Sequence, residues 1–394
     1  MNPSTTGWIK KYFEKNHDYH IFKDSNLEKV YRKAREIGFA YGYIDANIFG
    51  NSALNLALTQ EELSKICMLQ MLEKAYYYRR KIYNHHKFVS ELLDFYQLLT
   101  PRKKTYVERV LGSKNAFDQL ERVFKYRWSV NLFSPVKNHG FILNNILLLA
   151  DLLAFDRYLV TRENPKEFSN HFIELLINIV LEIKNQKVDK NENDILLIKY
   201  LQKTLTPTKS NNTANPESTK AKITHFREME KKFLSDFIVI NSWDNDSKRV
   251  KELNLDFLNS YNLTLESTYF IKSQKHFYAF LEKHQFDYYF FKSSNLFNNL
   301  VKTTSSNVEL LLIRNKKRLI KEIYKNGHLM NLLLDSTKRE LNSQEKKMVK
   351  KQLLEICKTI PSLTIFLLPG GSLVLPIILK FIPQLLPSSF NENL

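Results

Sequence analysis

TQEELSKICMLQMLEKAYYYRRKIYNHHKFVSELLDFYQLLT, residues 59–100, carries the reading that decides the fold. Thr59 stands three residues ahead of Glu62, the pattern in which a hydroxyl and a glutamate reciprocally satisfy the first free amides of a helix. Behind it, Leu63, Ile66, Met71, Leu72, Tyr76, Ile82 and Tyr83 recur near the helical repeat, and Pro101 cannot continue a helix. This spacing predicts one long helix from Thr59 to Leu99 with a single core face.

The rest of the chain has the same character. Its 394 residues include only 9 glycines and 11 prolines, too few for a turn-dense sandwich or barrel. The expected fold is all-α: long-helix bundles in two parts, with a proline-broken apolar C-terminal segment. TLTPTKSNNTANPESTKAK, residues 204–222, has almost nothing to bury and reads as a flexible polar linker. It separates an N-terminal bundle (1–203) from a second helical region (223–342), followed by a last block (343–394).

Within the first bundle, Gly38, Gly42, Ala46 and Gly50 fall four apart in GFAYGYIDANIFG and predict a small-residue stripe on a packed helix. FILNNILLLADLLAF, residues 141–155, is too short and polar to cross a bilayer and reads as the most buried helix. In the second region HFREMEKKFLSDFIVI, LDFLNSYNL and QKHFYAFLEKHQFDYYFF read as helices whose rings are core. Cys67 and Cys357 lie in apolar helical patterns, so no disulfide or zinc site is expected. The N-terminus lacks an apolar run of signal-peptide length.

Candidate chemistry is sparse. Two stretches, from Asp189 and from Asp244, imitate calcium loops but lack the central glycine and closing glutamate, and read as solvated loops. His85 and His86 are adjacent on a helix and do not make a metal face, and His276 and His284 have no obvious third ligand. Nucleophile and phosphate-cradle motifs are absent. The chain is therefore read as no enzyme, with no cofactor and no small-molecule substrate.

Charge is more informative. A formal net charge of +18 suits an anionic partner. Arg79, Arg80 and Lys81 form one cluster, beside Tyr76, Tyr77 and Tyr78. Lys316, Lys317, Arg318, Lys321 and Lys325 form a second, along one side of a helix. Lys346, Lys347, Lys350 and Lys351 form a third, opposite an apolar face of Met348, Val349, Leu353, Ile356, Cys357 and Ile360. Such a helix can lie against anionic lipid or RNA phosphate.

After it comes SLTIFLLPGGSLVLPIILKFIPQLLPSSF. The stretch 363–382 contains one charge, Lys380, and about 20 helical residues reach roughly 30 Å, a hydrocarbon core's thickness. Pro369, Pro376, Pro383 and Pro387, with Gly370 and Gly371, break any continuous helix, so it can span, lie on the interface, or fold back into protein.

The run from Gln344 to about Asn391, with its TIP, LLPGG, LP, KFIP and LLPSSF steps, resembles the membrane-proximal block of the LETM family, leucine-zipper and EF-hand-containing transmembrane proteins of the mitochondrial inner membrane. It is most similar to bacterial LETM-like proteins, some labelled biofilm-associated. The resemblance implies a membrane segment at 363–382, with Pro369, Gly370, Gly371, Pro376, Lys380, Pro383 and Pro387 as its motif, and Lys380 as the charge-sensitive position. It further implies cation/proton homeostasis or membrane-linked assembly. In mitochondrial members a ribosome-binding-like domain and calcium-binding elements follow the span, whereas this sequence ends at Leu394, which counts against both roles here.

The expected setting is membrane-associated, with the bulk of the chain cytoplasmic and lipid as partner. Homo-oligomers are expected if ions pass, because one broken helix is too little for a pathway. The alternatives are a ribosome- or RNA-binding adaptor without transport, contacting phosphate through Lys316, Lys317, Arg318, Lys321, Lys346, Lys347, Lys350 and Lys351, or a structural surface protein.

Overall fold

A computed structural model describes residues 2–14, 26–42, 44–45, 58–81, 84–99, 115–129, 140–190, 194–195, 198–199, 201–202, 225–242, 255–261, 263–283, 312 and 314–360. Among them the fold is all-α. The helices are α1 (Trp8–Glu14), α2 (Leu27–Glu36), α3 (Gln60–Arg80), α4 (His85–Leu99), α5 (Ala116–Ser129), α6 (Gly140–Thr161), α7 (Pro165–Gln186), α8 (Glu228–Ser242), α9 (Ser267–Lys283), α10 (Lys316–Tyr324), α11 (Gly327–Lys338) and α12 (Ser343–Thr359). The chain divides into two compact units: residues 1–8, 54–62 and 298–394 form the first, residues 9–53 and 63–297 the second. The linker assigned to 204–222 lies outside the described residues.

In the second unit α6 packs against α4, α7, α8 and the short 3-10 turn Phe39–Tyr41. Every residue from Leu148 to Arg157 is buried, charged ones included, which makes α6 the interior helix that the sequence predicts. It is longer than the apolar run, spanning 22 residues. Its buried charges are each matched: Arg127 donates Nε to Asp151 at 2.9 Å, Arg79 donates twice to Asp156 at 2.7 and 2.9 Å, and Arg157 donates to Glu230 at 3.2 Å. Arg227 adds a further 2.7 Å bond to Asp156. The cluster Arg79, Arg80 and Lys81 is thus not a free basic patch, since Arg80 also pairs with Glu91.

Several expectations need correction. The helix expected over 59–99 is two helices: Lys81 adopts φ +55°, left-handed backbone that costs an L-residue about 1–2 kcal/mol, and α3 stops there. Asn84 then restarts the chain by accepting the Lys87 amide at 3.0 Å, and Arg80 holds α4 through Glu91. Gly38 and Gly42 do not share a helical stripe. Both have positive φ, +85° and +79°, and they bracket the Phe39–Tyr41 turn after α2 has ended. LDFLNSYNL holds a 3-10 turn, Asp256–Tyr261, instead of an α-helix. The loop from Asp189 is not wholly solvated, because Asp194 is buried and accepts from Lys187 at 2.8 Å.

The aromatic expectation holds at Phe226, Phe233, Phe237, Phe277 and Phe280, all buried. His85 and His86, placed at the start of α4, bring their rings to 4.4 Å, with Phe13 stacked on His85 at 5.2 Å. Burial lowers the His85 pKa. His284 lies outside the described residues, and among those described no group of three or more His, Cys, Asp or Glu is placed to hold a metal ion. Cys67 is buried, and burial pushes its thiol pKa up, away from reactivity.

The first unit is organised around Glu62. The predicted capping box is present: the Glu62 amide donates to Thr59 Oγ1 at 3.2 Å and the Thr59 amide donates to Glu62 Oε2 at 2.9 Å. Arg314 then clamps the same carboxylate with two bonds of 2.9 and 2.7 Å, and Ser4 Oγ donates at 2.6 Å. Burial raises the Glu62 pKa, but the bonds from Arg314, Ser4 and the Thr59 amide outweigh it and hold the group below the ordinary carboxylate range. The side chains of Glu62 and Arg314 are 1% and 11% exposed, so removing either one strands a desolvated charge. Glu62→Ala or Arg314→Ala is expected to lower the unfolding free energy by about 3–5 kcal/mol in urea denaturation. A loss near zero would mean the pair is not buried in solution.

Candidate functional site

The three helices α10, α11 and α12 each pack against the other two. Their inward faces are apolar: Leu319 and Ile323 from α10, Leu329, Met330, Leu332 and Leu333 from α11, Val349, Leu353 and Ile356 from α12. Asn326 starts α11 by accepting the Leu329 amide at 3.1 Å.

The start of α12 is more elaborate. Asn342 Oδ1 accepts from the amides of Gln344 and Glu345, both at 2.9 Å, and Glu345 accepts from the Asn342 amide at 2.8 Å. Arg339, just past α11, donates to both oxygens of Glu345 at 2.9 and 2.8 Å and to Asp335 at 3.0 Å. The Arg339 bonds, followed by the Asn342 amide, draw the Glu345 pKa down to about 2. This arrangement fixes the end of α11 against the beginning of α12.

The apolar packing turns the basic residues outward. Lys316, Lys317, Arg318 and Lys321 on α10, and Lys346, Lys347, Lys350 and Lys351 on α12, are all exposed. Lys346 has only a loose approach to Glu340, at 3.9 Å. For the other seven no carboxylate among the described residues lies within ion-pair distance. By contrast Lys325 pairs with Glu322 and Lys358 with Glu355. One residue differs from the expected apolar face: Met348 is 42% exposed and stands among the lysines, because Val349 and Leu353 already occupy the inward direction. The Cys357 side chain is outside what is described.

Sequence spacing locates these basic residues but overlooks Arg339 and the cap that orients α12. The signal is present as Asn342-Ser343-Gln344-Glu345, an Asn-x-x-Glu start. The motif positions Pro369, Gly370, Gly371, Pro376, Lys380, Pro383 and Pro387, and the whole stretch 363–382, lie outside the described residues. Among the described residues no helix is long and apolar enough to cross a membrane.

A family model described as LETM1-like, RBD matches residues 341–394, which begin one residue before the α12 cap. The C-terminal block is LETM1-like. It comprises α12 with its outward lysines and the apolar sequence after it. An end at Leu394 does not count against an RBD portion, because the RBD family model matches residues ahead of that end. No curated protein and no solved structure matches the chain.

Linkage gives the cap a pH signature. Glu345 has a folded pKa below its free value, so its contribution is complete above about pH 4.5 and is lost as the pH falls toward about 2. Asn342→Ala is expected to remove about 1 kcal/mol from α12 and to leave the acid profile in place, because the backbone amide that Glu345 accepts is retained, whereas Arg339→Ala is expected to flatten part of the acid-induced helix loss, both followed by far-ultraviolet circular dichroism.

Proposed function

We propose that this protein is a membrane-associated, non-enzymatic LETM1-like factor acting in cation/proton homeostasis or membrane-linked assembly, with its helical body on the cytoplasmic side. The observation that carries the reading is the LETM1-like match over 341–394, a block in which α12 faces lysines to solvent immediately before the apolar stretch 363–382. Each such lysine contributes on the order of 1 kcal/mol near an anionic leaflet, and a cationic flank on the cytoplasmic side accords with the positive-inside tendency. Residues 363–382, which include Pro369 and Pro376, would then meet the hydrocarbon, and any ion pathway would need several copies.

Fractionation of the full chain and of a form lacking 363–394 tests this. The full chain is expected in the carbonate-resistant pellet and the shortened form in the soluble fraction. Release of the full chain by carbonate would defeat an anchored role, and unchanged cation tolerance in a deletion strain would defeat ion homeostasis.

A second reading takes the RBD of the matched family as a ribosome-binding domain and joins it to the exposed, phosphate-compatible lysines of α12. In it the protein is a ribosome- or RNA-binding adaptor. RNA binding that falls steeply between low and moderate salt, and falls further on Lys346→Gln and Lys350→Gln, is its expected signature. Salt-insensitive binding would count against it.

A further inference from the structure

We infer that the outward strip of α12 is a docking surface for phosphate-bearing bilayer lipid, in which Met348 enters the headgroup layer on the flank of the Lys347 and Lys351 row. The inference deepens the membrane reading above and rests on it for the setting, but on separate residues from the anchor sequence 363–382.

Three observations support it. First, Lys347, Lys350 and Lys351 are exposed, with no carboxylate among the described residues within ion-pair distance, so their charge is available to a ligand. Second, the acidic groups nearby are already engaged: Glu345 by Arg339, and Glu355 by Lys358. Glu340, 97% exposed, sits at the loop before the cap and faces Lys346 at 3.9 Å. Third, Met348 is 42% exposed although its helix has a complete apolar inward face in Val349, Leu353, Ile356 and Ile360. Helical spacing puts Met348 one turn before Lys351 as its neighbour at i, i+3, on the flank of the row that Lys347 and Lys351 form at i, i+4.

An unbranched thioether standing proud of a cationic strip gains little from RNA phosphates, which reward charge alone. A bilayer interface rewards both, since the lysines reach headgroup phosphates while the apolar chain leaves water. Lipid is therefore the partner that these side chains fit. α10 repeats the charge pattern, with Lys317 and Lys321 one turn apart and exposed.

The test is vesicle flotation of the full chain with phosphatidylcholine alone and with phosphatidylcholine mixed with phosphatidylglycerol. Stronger binding to the anionic vesicles is expected. Each of Lys347→Gln, Lys350→Gln and Lys351→Gln should lower that binding about five-fold, leaving neutral-vesicle binding by the anchor unchanged. Met348→Ser should lower anionic binding several-fold without altering the salt dependence. Circular dichroism of every variant checks that the helices are intact, as these are surface positions. Equal binding to both vesicle types would overturn the inference while leaving the anchor standing, and anionic binding without neutral binding would uphold it and remove the anchor. Loss of binding to a polyuridylate strand in the lysine variants, with anionic-vesicle binding retained, would assign the strip to RNA and overturn the inference.

Discussion

A carboxylate withdrawn from water has to keep a cation or a set of donors, and that requirement shapes both units. On α6, a helix buried on every side along 148–157, the acids Asp151 and Asp156 are tolerated because Arg127, Arg79 and Arg227 come from three other segments to meet them. Burying such pairs is costly compared with apolar packing, but leaving one member alone is costlier, so each pair favours a particular arrangement of neighbours. Glu73 is the contrasting case. It accepts from the Tyr12 phenol at 2.6 Å, no arginine is bound to it among the described residues, and burial raises its pKa.

The same rule links the fold to the basic surface. In the three-helix portion the apolar faces of α10, α11 and α12 are satisfied among themselves, and Arg339 ties α11 to α12 through Glu345. Once those contacts are made, the lysines of α12 have no interior destination. Their exposure is a result of packing, and the LETM1-like block therefore begins with a rigidly capped, outward-charged helix.

The all-α character, the Thr59 and Glu62 cap and the two basic faces are legible in the sequence because each depends on spacing within a few residues. The break at Lys81 is less so, since periodicity runs through it and only Asn84, a competing helix start, marks the change. Gly38 and Gly42 mislead for the converse reason: four-residue spacing suits a helical stripe, yet the same residues are also those that accept left-handed backbone. Met348 reads as inward only when its hydrophobic type is weighed above its angular position. Partners such as Arg314 for Glu62, 252 residues away, leave no local trace at all.

One recurring detail bears on how the chain acquires its structure. Glu62, Glu230 and Glu345 each accept the amide of the residue preceding their helix, and each is also gripped by an arginine outside that helix: Arg314, Arg157 and Arg339. Where the arginine comes from far along the sequence, as for the first two, the helix start gains its full support only after distant segments have met. Nucleation of α3 and α8 is in this way coupled to assembly, which discourages isolated helices from persisting in partly folded chains and makes acquisition of order more nearly all-or-none within each unit.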